Sequence, residues 1–227
     1  MKKLIFSLSM LLITSLSVIA KGPKPKLFPE LEKYYAGLTT VPVEPSHEKG
    51  LGNLEKYILQ GMGSDRKIDL LFTDKDNSFV SASAQIVLQS LLAVNKYNKM
   101  GVSSCGYQAG EINPILIKVL NKHGYKVTEA SAVNGKKAYT VAFGDNVLPV
   151  NVYSKTADDA TLPKANFFQM KLCSAGDNAC ADLKGAFFKE TAPFTDPSAD
   201  ISEDEADKLF SQIAAEIVSA FNKAKNP

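Results

Sequence analysis

The apolar and polar positions divide the chain into helical stripes and short apolar runs. Leu27, Leu31, Tyr34, Tyr35 and Leu38 recur at helical spacing, with Pro29 suited to a first turn. Leu51, Leu54, Tyr57, Ile58 and Leu59 predict a second helix, closed by Gly61-Met62-Gly63. Residues 67–73 read as a strand, apolar at Ile68, Leu70, Leu71 and Phe72. A broad stripe through Ile86, Val87, Leu91, Leu92 and Val94 makes residues 81–97 a helix. Residues 100–105 predict a second strand. Asn113 then suits an N-cap and Pro114 the first residue of a helix that Gly124 ends.

Residues 125–154 change period. Val127, Tyr139, Val141, Phe143 and the run 147–153 alternate with polar residues, separated by Asn134-Gly135 and Gly144-Asp145-Asn146. That pattern predicts an antiparallel insertion of two or three strands. Residues 166–173 return to a buried-strand pattern, and residues 186–190 read as a short strand at a sheet edge. Ser202 and Glu205 form a capping box ahead of Leu209, Phe210, Ile213, Ile217 and Phe221. Strands alternating with helices predict an α/β fold, a parallel sheet covered on both sides. The expected organisation is a linker and helical N-terminal cap over residues 21–66 and an α/β domain over 67–225.

Ligands of such sheets sit beyond the carboxyl ends of the strands. Two loops fall there, residues 74–80 and 173–180, and Phe194-Thr195-Asp196-Pro197 is placed to approach them. The first is Asp74-Lys75-Asp76-Asn77-Ser78-Phe79-Val80, followed by Ser81. A strand, a polar loop and a helix start is the layout that holds an anion over a helix N-terminus. This loop has no glycine, cysteine or arginine and carries two aspartates, so its position and its chemistry conflict.

Composition narrows the function classes. Lys2 and Lys3, an apolar run to Ile19 and Val18-Ile19-Ala20 before Lys21 make residues 1–20 a secretory signal, with Ser7, Ser9, Thr14, Ser15 and Ser17 too frequent for a retained span. The expected location is therefore periplasmic or secreted. The chain has 26 Lys and Arg against 24 Asp and Glu. Removing a leader with two lysines leaves it neutral, with no footprint for nucleic acid or an acidic membrane surface. Cys173 and Cys180 lie seven apart and suit a disulfide in an exported protein. Cys105 reads as a buried inert thiol. His47 and His123, the only histidines, are assigned to solvent, and no metal cluster can be built on them. Tyr34, Tyr35, Tyr57 and Leu38 are expected to pack the N-terminal cap onto the main domain.

From about Leu27 onward the order of motifs resembles the low-molecular-weight protein tyrosine phosphatase superfamily, nearest its thioredoxin-coupled arsenate reductase branch. The resemblance implies a three-layer fold with a central parallel four-stranded sheet flanked by helices, here with the inserted hairpin and the N-terminal extension. Ile112-Asn113-Pro114 matches the family's second-helix start. Leu172 to Cys180 matches its redox loop with both cysteines in place, and Thr195-Asp196-Pro197 matches the Asp-Pro that supplies its general acid. In the family's catalytic loop Asn77, Ser78 and Ser81 match. Asp74 stands where the nucleophilic cysteine belongs and Val80 where the phosphate-gripping arginine belongs.

The family reaction needs a low-pKa thiolate and a bidentate cation on the transferring oxygens. With both replaced, neither phosphatase nor arsenate reductase activity is expected by that mechanism. Two structures are open for the loop. The Asp74 carboxylate could turn into its own loop amides and stand in for the anion. Alternatively Asp74, Asp76 and Asp196 could converge on a hard divalent cation, the one cofactor considered. An acidic turn in water is the bland alternative. The functional expectation is an exported, catalytically degenerate domain that binds a small ligand, a cation or another protein. A thiol–disulfide protein using Cys173 and Cys180 and a phosphoryl-transfer enzyme using Asp74 and Asp196 are the alternatives.

Overall fold

The computed structural model describes residues 22–108, 110–173 and 180–227. The expected leader at 1–20 and the interior of the 173–180 loop lie outside the described residues. In chain order the elements are β1 (Lys26–Leu27), α1 (Pro29–Gly37), a 3₁₀ turn (Leu38–Thr40), α2 (Glu48–Met62), β2 (Ile68–Asp74), α3 (Val80–Val94), β3 (Met100–Gly106) and α4 (Pro114–Lys122). They continue with β4 (Lys126–Val133), β5 (Lys136–Ala142), β6 (Gly144–Asp145), β7 (Val150–Tyr153), β8 (Phe167–Lys171), β9 (Ala186–Thr191) and α5 (Glu203–Lys225).

Local chemistry sets most of these boundaries. The Asn113 side chain accepts from the Ile115 amide and Pro114 opens α4. Ser202 and Glu205 form the reciprocal capping box that starts α5. Asn134 and Gly135 both have positive φ, 52° and 75°, which is the backbone that a tight hairpin between β4 and β5 requires.

The molecule is an α/β fold on a parallel four-stranded sheet of order β3-β2-β8-β9, with β2 paired in register to β3 and β8. The order 2-1-3-4 of the core strands puts β2 at the centre, so its carboxyl end lies between two neighbours. A separate antiparallel sheet, β4-β5-β7, forms the insertion. Alternate residues of each strand point to opposite faces. Leu70, Phe72, Phe168 and Met170 join one large apolar cluster with buried side chains of all five helices. Leu71, Cys105 and Phe167 form a smaller cluster on the other face, covered by Leu162, Ala157 and Leu183. Connecting chain closes that side of the sheet. Gln169, fully buried there, donates to Thr73 Oγ1 and accepts from the Leu183 amide, which fixes the covering segment.

Three expectations need correction. The linker expected at the start of 21–66 joins a sheet: Lys26 and Leu27 pair antiparallel with Asp145 and Gly144, and the Phe28 amide donates to Phe143 O. His47 is 3% exposed and faces Glu216, itself 1% exposed, across 2.8 Å. His123 pairs with Asp207 and stacks on Tyr34 at 3.8 Å. Both histidines met partners far along the chain that no local pattern announces. Tyr35 does pack inward, bonding Ser90 Oγ at 2.8 Å and Tyr125. Among the described residues no helix is long and apolar enough to cross a membrane.

Candidate functional site

β2 carries an apolar centre, Leu70, Leu71 and Phe72, and ends in a carboxylate. Its last residue, Asp74, is completely buried. The chain then turns sharply, with Asn77 at φ 55°, a left-handed conformation that asparagine tolerates better than most residues. The turn aims two backbone N–H groups at Asp74. Asn77 N donates to Oδ1 at 2.6 Å and Ser81 N donates to Oδ2 at 2.7 Å.

These bonds serve the helix as well as the loop. The first N–H groups of a helix have no partner within it. Phe79, the N-cap of α3, makes no side-chain capping bond. Asp74 supplies the acceptor from six residues upstream of α3, at the positive end of the helix dipole.

A buried polar network locks the turn. Asn77 Nδ2 donates to Ser81 Oγ and Ser104 Oγ, both at 2.8 Å, and Ser104 Oγ donates to Gln85 Oε1 at 2.6 Å. Asn77 Oδ1 accepts from the Lys155 amide at 3.1 Å, which ties the insertion to the loop. Asp76 Oδ1 accepts from Ser78 N, and Asp76 O accepts from Ser154 Oγ. Lys75 O receives the Tyr107 and Gln108 amides, and Ser78 O receives Asn113 N. Lys75 is exposed, Asp76 and Ser78 are half-buried, and Phe79, Val80 and Ser81 are buried. Gly106 and Gly110 allow the close approach: a Cβ on either would lie 2.5–2.6 Å from Asp76 backbone atoms.

The setting raises the Asp74 pKa to about 7. Burial is the main cause and the Asp196 charge adds to it, while the Ser81 and Asn77 hydrogen bonds pull it back. Asp196 is thus near enough to be felt electrostatically, on a strand-end loop anchored where Phe194 N donates to Leu172 O at 3.0 Å. The Asp74 and Asp76 carboxylates turn toward different loop amides, and no group of three His, Cys, Asp or Glu among the described residues has metal-holding geometry.

Arginine is missing from the site for a simple reason. The chain has one, Arg66, exposed just before β2 at the opposite end of the strand from Asp74.

The second loop leaves β8 beside the first, with Leu172 N donating to Thr73 O at 2.7 Å. Cys173 and Cys180 are joined in a disulfide with Cα atoms 6.1 Å apart. Cys173 is buried and Cys180 half-buried. Closing so short a loop restricts the unfolded chain only modestly. Reduction with dithiothreitol is expected to cost about 2.5 kcal/mol in a urea titration, by loop-closure entropy. Cys105 is free and buried, its thiol pushed up to about 12, mainly by burial and then by the Asp74 charge.

Sequence reasoning missed Ser104, Gln85, Ser154 and Lys155. Each reaches the loop from a distant element, and small polar residues on a strand or helix carry no periodic signal.

No family model matches the chain, and no curated protein matches it. Solved structures similar to it include two arsenate reductases. An arsenate reductase from Archaeoglobus fulgidus DSM 4304 is 12% identical, with 67% of this chain and 98% of that chain covered and a TM-score of 0.46. The thioredoxin-dependent arsenate reductase of Corynebacterium glutamicum is 15% identical, with 87% and 85% covered and a TM-score of 0.41.

Proposed function

We propose that this chain is an exported, phosphatase-like domain of the arsenate reductase type whose anion cradle is filled by its own Asp74, and that it acts by binding. One observation carries the reading: both oxygens of a buried carboxylate accept loop N–H groups at the start of α3. In that position the carboxyl group is a poor nucleophile. An incoming phosphate or arsenate would meet occupied donors, negative charge from Asp196 and no arginine.

The test is turnover. With p-nitrophenyl phosphate, and with arsenate plus thioredoxin, the purified protein is expected to give rates indistinguishable from buffer. Phosphate release that disappears in Asp74→Asn would overturn the reading in favour of an aspartyl-phosphate enzyme.

The disulfide favours a second reading, a thiol-exchange protein. Half-buried Cys180 is then the sulfur a thiolate attacks, and Cys173 leaves as the thiolate. Dithiol-dependent insulin reduction that vanishes in Cys173→Ser would establish it. A structural staple gives no such turnover.

A further inference from the structure

Beyond β7 the chain runs along the back of the Asp74 loop. Gly106 N donates to Lys155 O at 2.8 Å, and Gly106 bridges to Thr156. The Lys155 residue is only 8% exposed. Its Nζ lies 4.6 Å from the centre of the Tyr153 ring. Among the described residues that amine has no hydrogen bond and no ion pair. Lys122, Lys136 and Lys171, by contrast, each face a carboxylate.

The same segment walls a cavity of about 350 Å³, lined among others by Asn134, Lys136, Tyr153, Lys155, Thr156 and Asp159. Its carboxylates are engaged by their own loop. Asp159 Oδ2 accepts from Tyr153 OH at 2.9 Å, and Asp159 Oδ1 accepts from the Thr161 amide at 2.8 Å and the Thr161 hydroxyl at 2.6 Å. Asp158 accepts from Thr156 Oγ1. Burial lowers the Lys155 pKa, with the Asp159 charge acting against it. A largely desolvated lysine on an aromatic face, without a hydrogen bond or a close ion pair among the described residues and beside a small cavity, is the environment in which the amine becomes a nucleophile.

We propose that Lys155 is a carbonyl-reactive lysine and that this cavity takes a small aldehyde or ketone as its ligand. The ammonium first gives a proton to solvent. The Nζ lone pair then forms a bond to the carbonyl carbon, and the C=O π electrons move to oxygen. That oxygen leaves as water with the two remaining amine hydrogens, and a C=N bond joins Lys155 to the ligand. No oxidant or reductant is needed. The site is separate from the Asp74 cradle and holds whether or not the cradle is catalytically silent.

Pyridoxal is a suitable probe: it is small and carries no phosphate that would steer it by charge. The folded protein is incubated with pyridoxal at pH 7, reduced with borohydride and mapped by peptide mass spectrometry. Lys155 is expected to be labelled above every exposed lysine of the chain, and the label on its peptide to vanish in Lys155→Met. Labelling that simply follows exposure, with Lys155 among the least modified, overturns the proposal. Should Lys155→Met fail to fold, the wild-type map decides alone, because the exposed lysines are controls in the same sample.

Discussion

At pH 5, replacing Asp74 by alanine is expected to remove about 2–6 kcal/mol of folding stability. The figure is the cost of leaving two buried donors, at about 1–3 kcal/mol each. Asn77 N and Ser81 N both lose their only described acceptor. The loss also uncaps α3, so helix signal and tertiary signal should fall together in a urea titration. Formate replaces the deleted group. It is expected to raise the stability of the variant by an amount that grows with the logarithm of its concentration once that exceeds its dissociation constant, and to leave the wild type unchanged. A variant as stable as the wild type, or one indifferent to formate, would falsify the filled-cradle description.

The pH dependence of that loss has a definite sign. An unfolded aspartate titrates near about 3.9, and Asp74 in the fold titrates at about 7. The folded state therefore binds the proton more tightly than the unfolded state. The stability contributed by that proton is full below about pH 4 and is lost as pH rises through about 7. The difference between wild type and Asp74→Ala should shrink from pH 5 to pH 8, because the wild type weakens while the variant has nothing to titrate there.

Glu216→Ala is expected to cost about 3–5 kcal/mol, within the range for leaving three buried or part-buried hydrogen-bond partners unpaired at about 1–3 kcal/mol each. His47 Nε2 faces the carbonyl oxygen of Pro193 at 2.8 Å, so it must donate. His47 Nδ1 faces Glu216 Oε2 at 2.8 Å. Gln212 Nε2 and the Glu44 amide also donate to Glu216 Oε1. The Glu216 carboxyl group thus joins the His47 ring, Gln212 Nε2 and the Glu44 amide. Removing Glu216 leaves those partners without it, the His47 ring among them buried. The double variant His47→Phe/Glu216→Leu should lose less than the sum of the single changes, since no ring nitrogen is then left unpaired. A loss below about 1 kcal/mol in Glu216→Ala would place the pair with exposed salt bridges.

What the sequence made legible was local. The N-cap at Asn113, the capping box at Ser202 and the hairpin at Asn134-Gly135 depend on neighbours within a few residues, and each forms. Strands alternating with helices predicted the parallel sheet, and it forms. The loop was found where the apolar run of β2 stops. Which way Asp74 turned was not readable, because that depends on backbone N–H directions set by Asn77 and on Ser104 and Lys155 behind it. His47 and Glu216 are 169 residues apart, so a histidine in a polar stretch looked solvated. Lys155 lies just past the alternating run 147–153, where no pattern announces its burial.

An anion taken from solution comes with a concentration and a rate of departure. The Asp74 carboxyl group comes with neither, because the backbone holds it beside its donors at all times. The turn that carries Lys75 and Asp76 therefore keeps one shape through any change in free phosphate. A partner reading that turn would meet a constant surface, insensitive to the metabolite that an empty cradle would report.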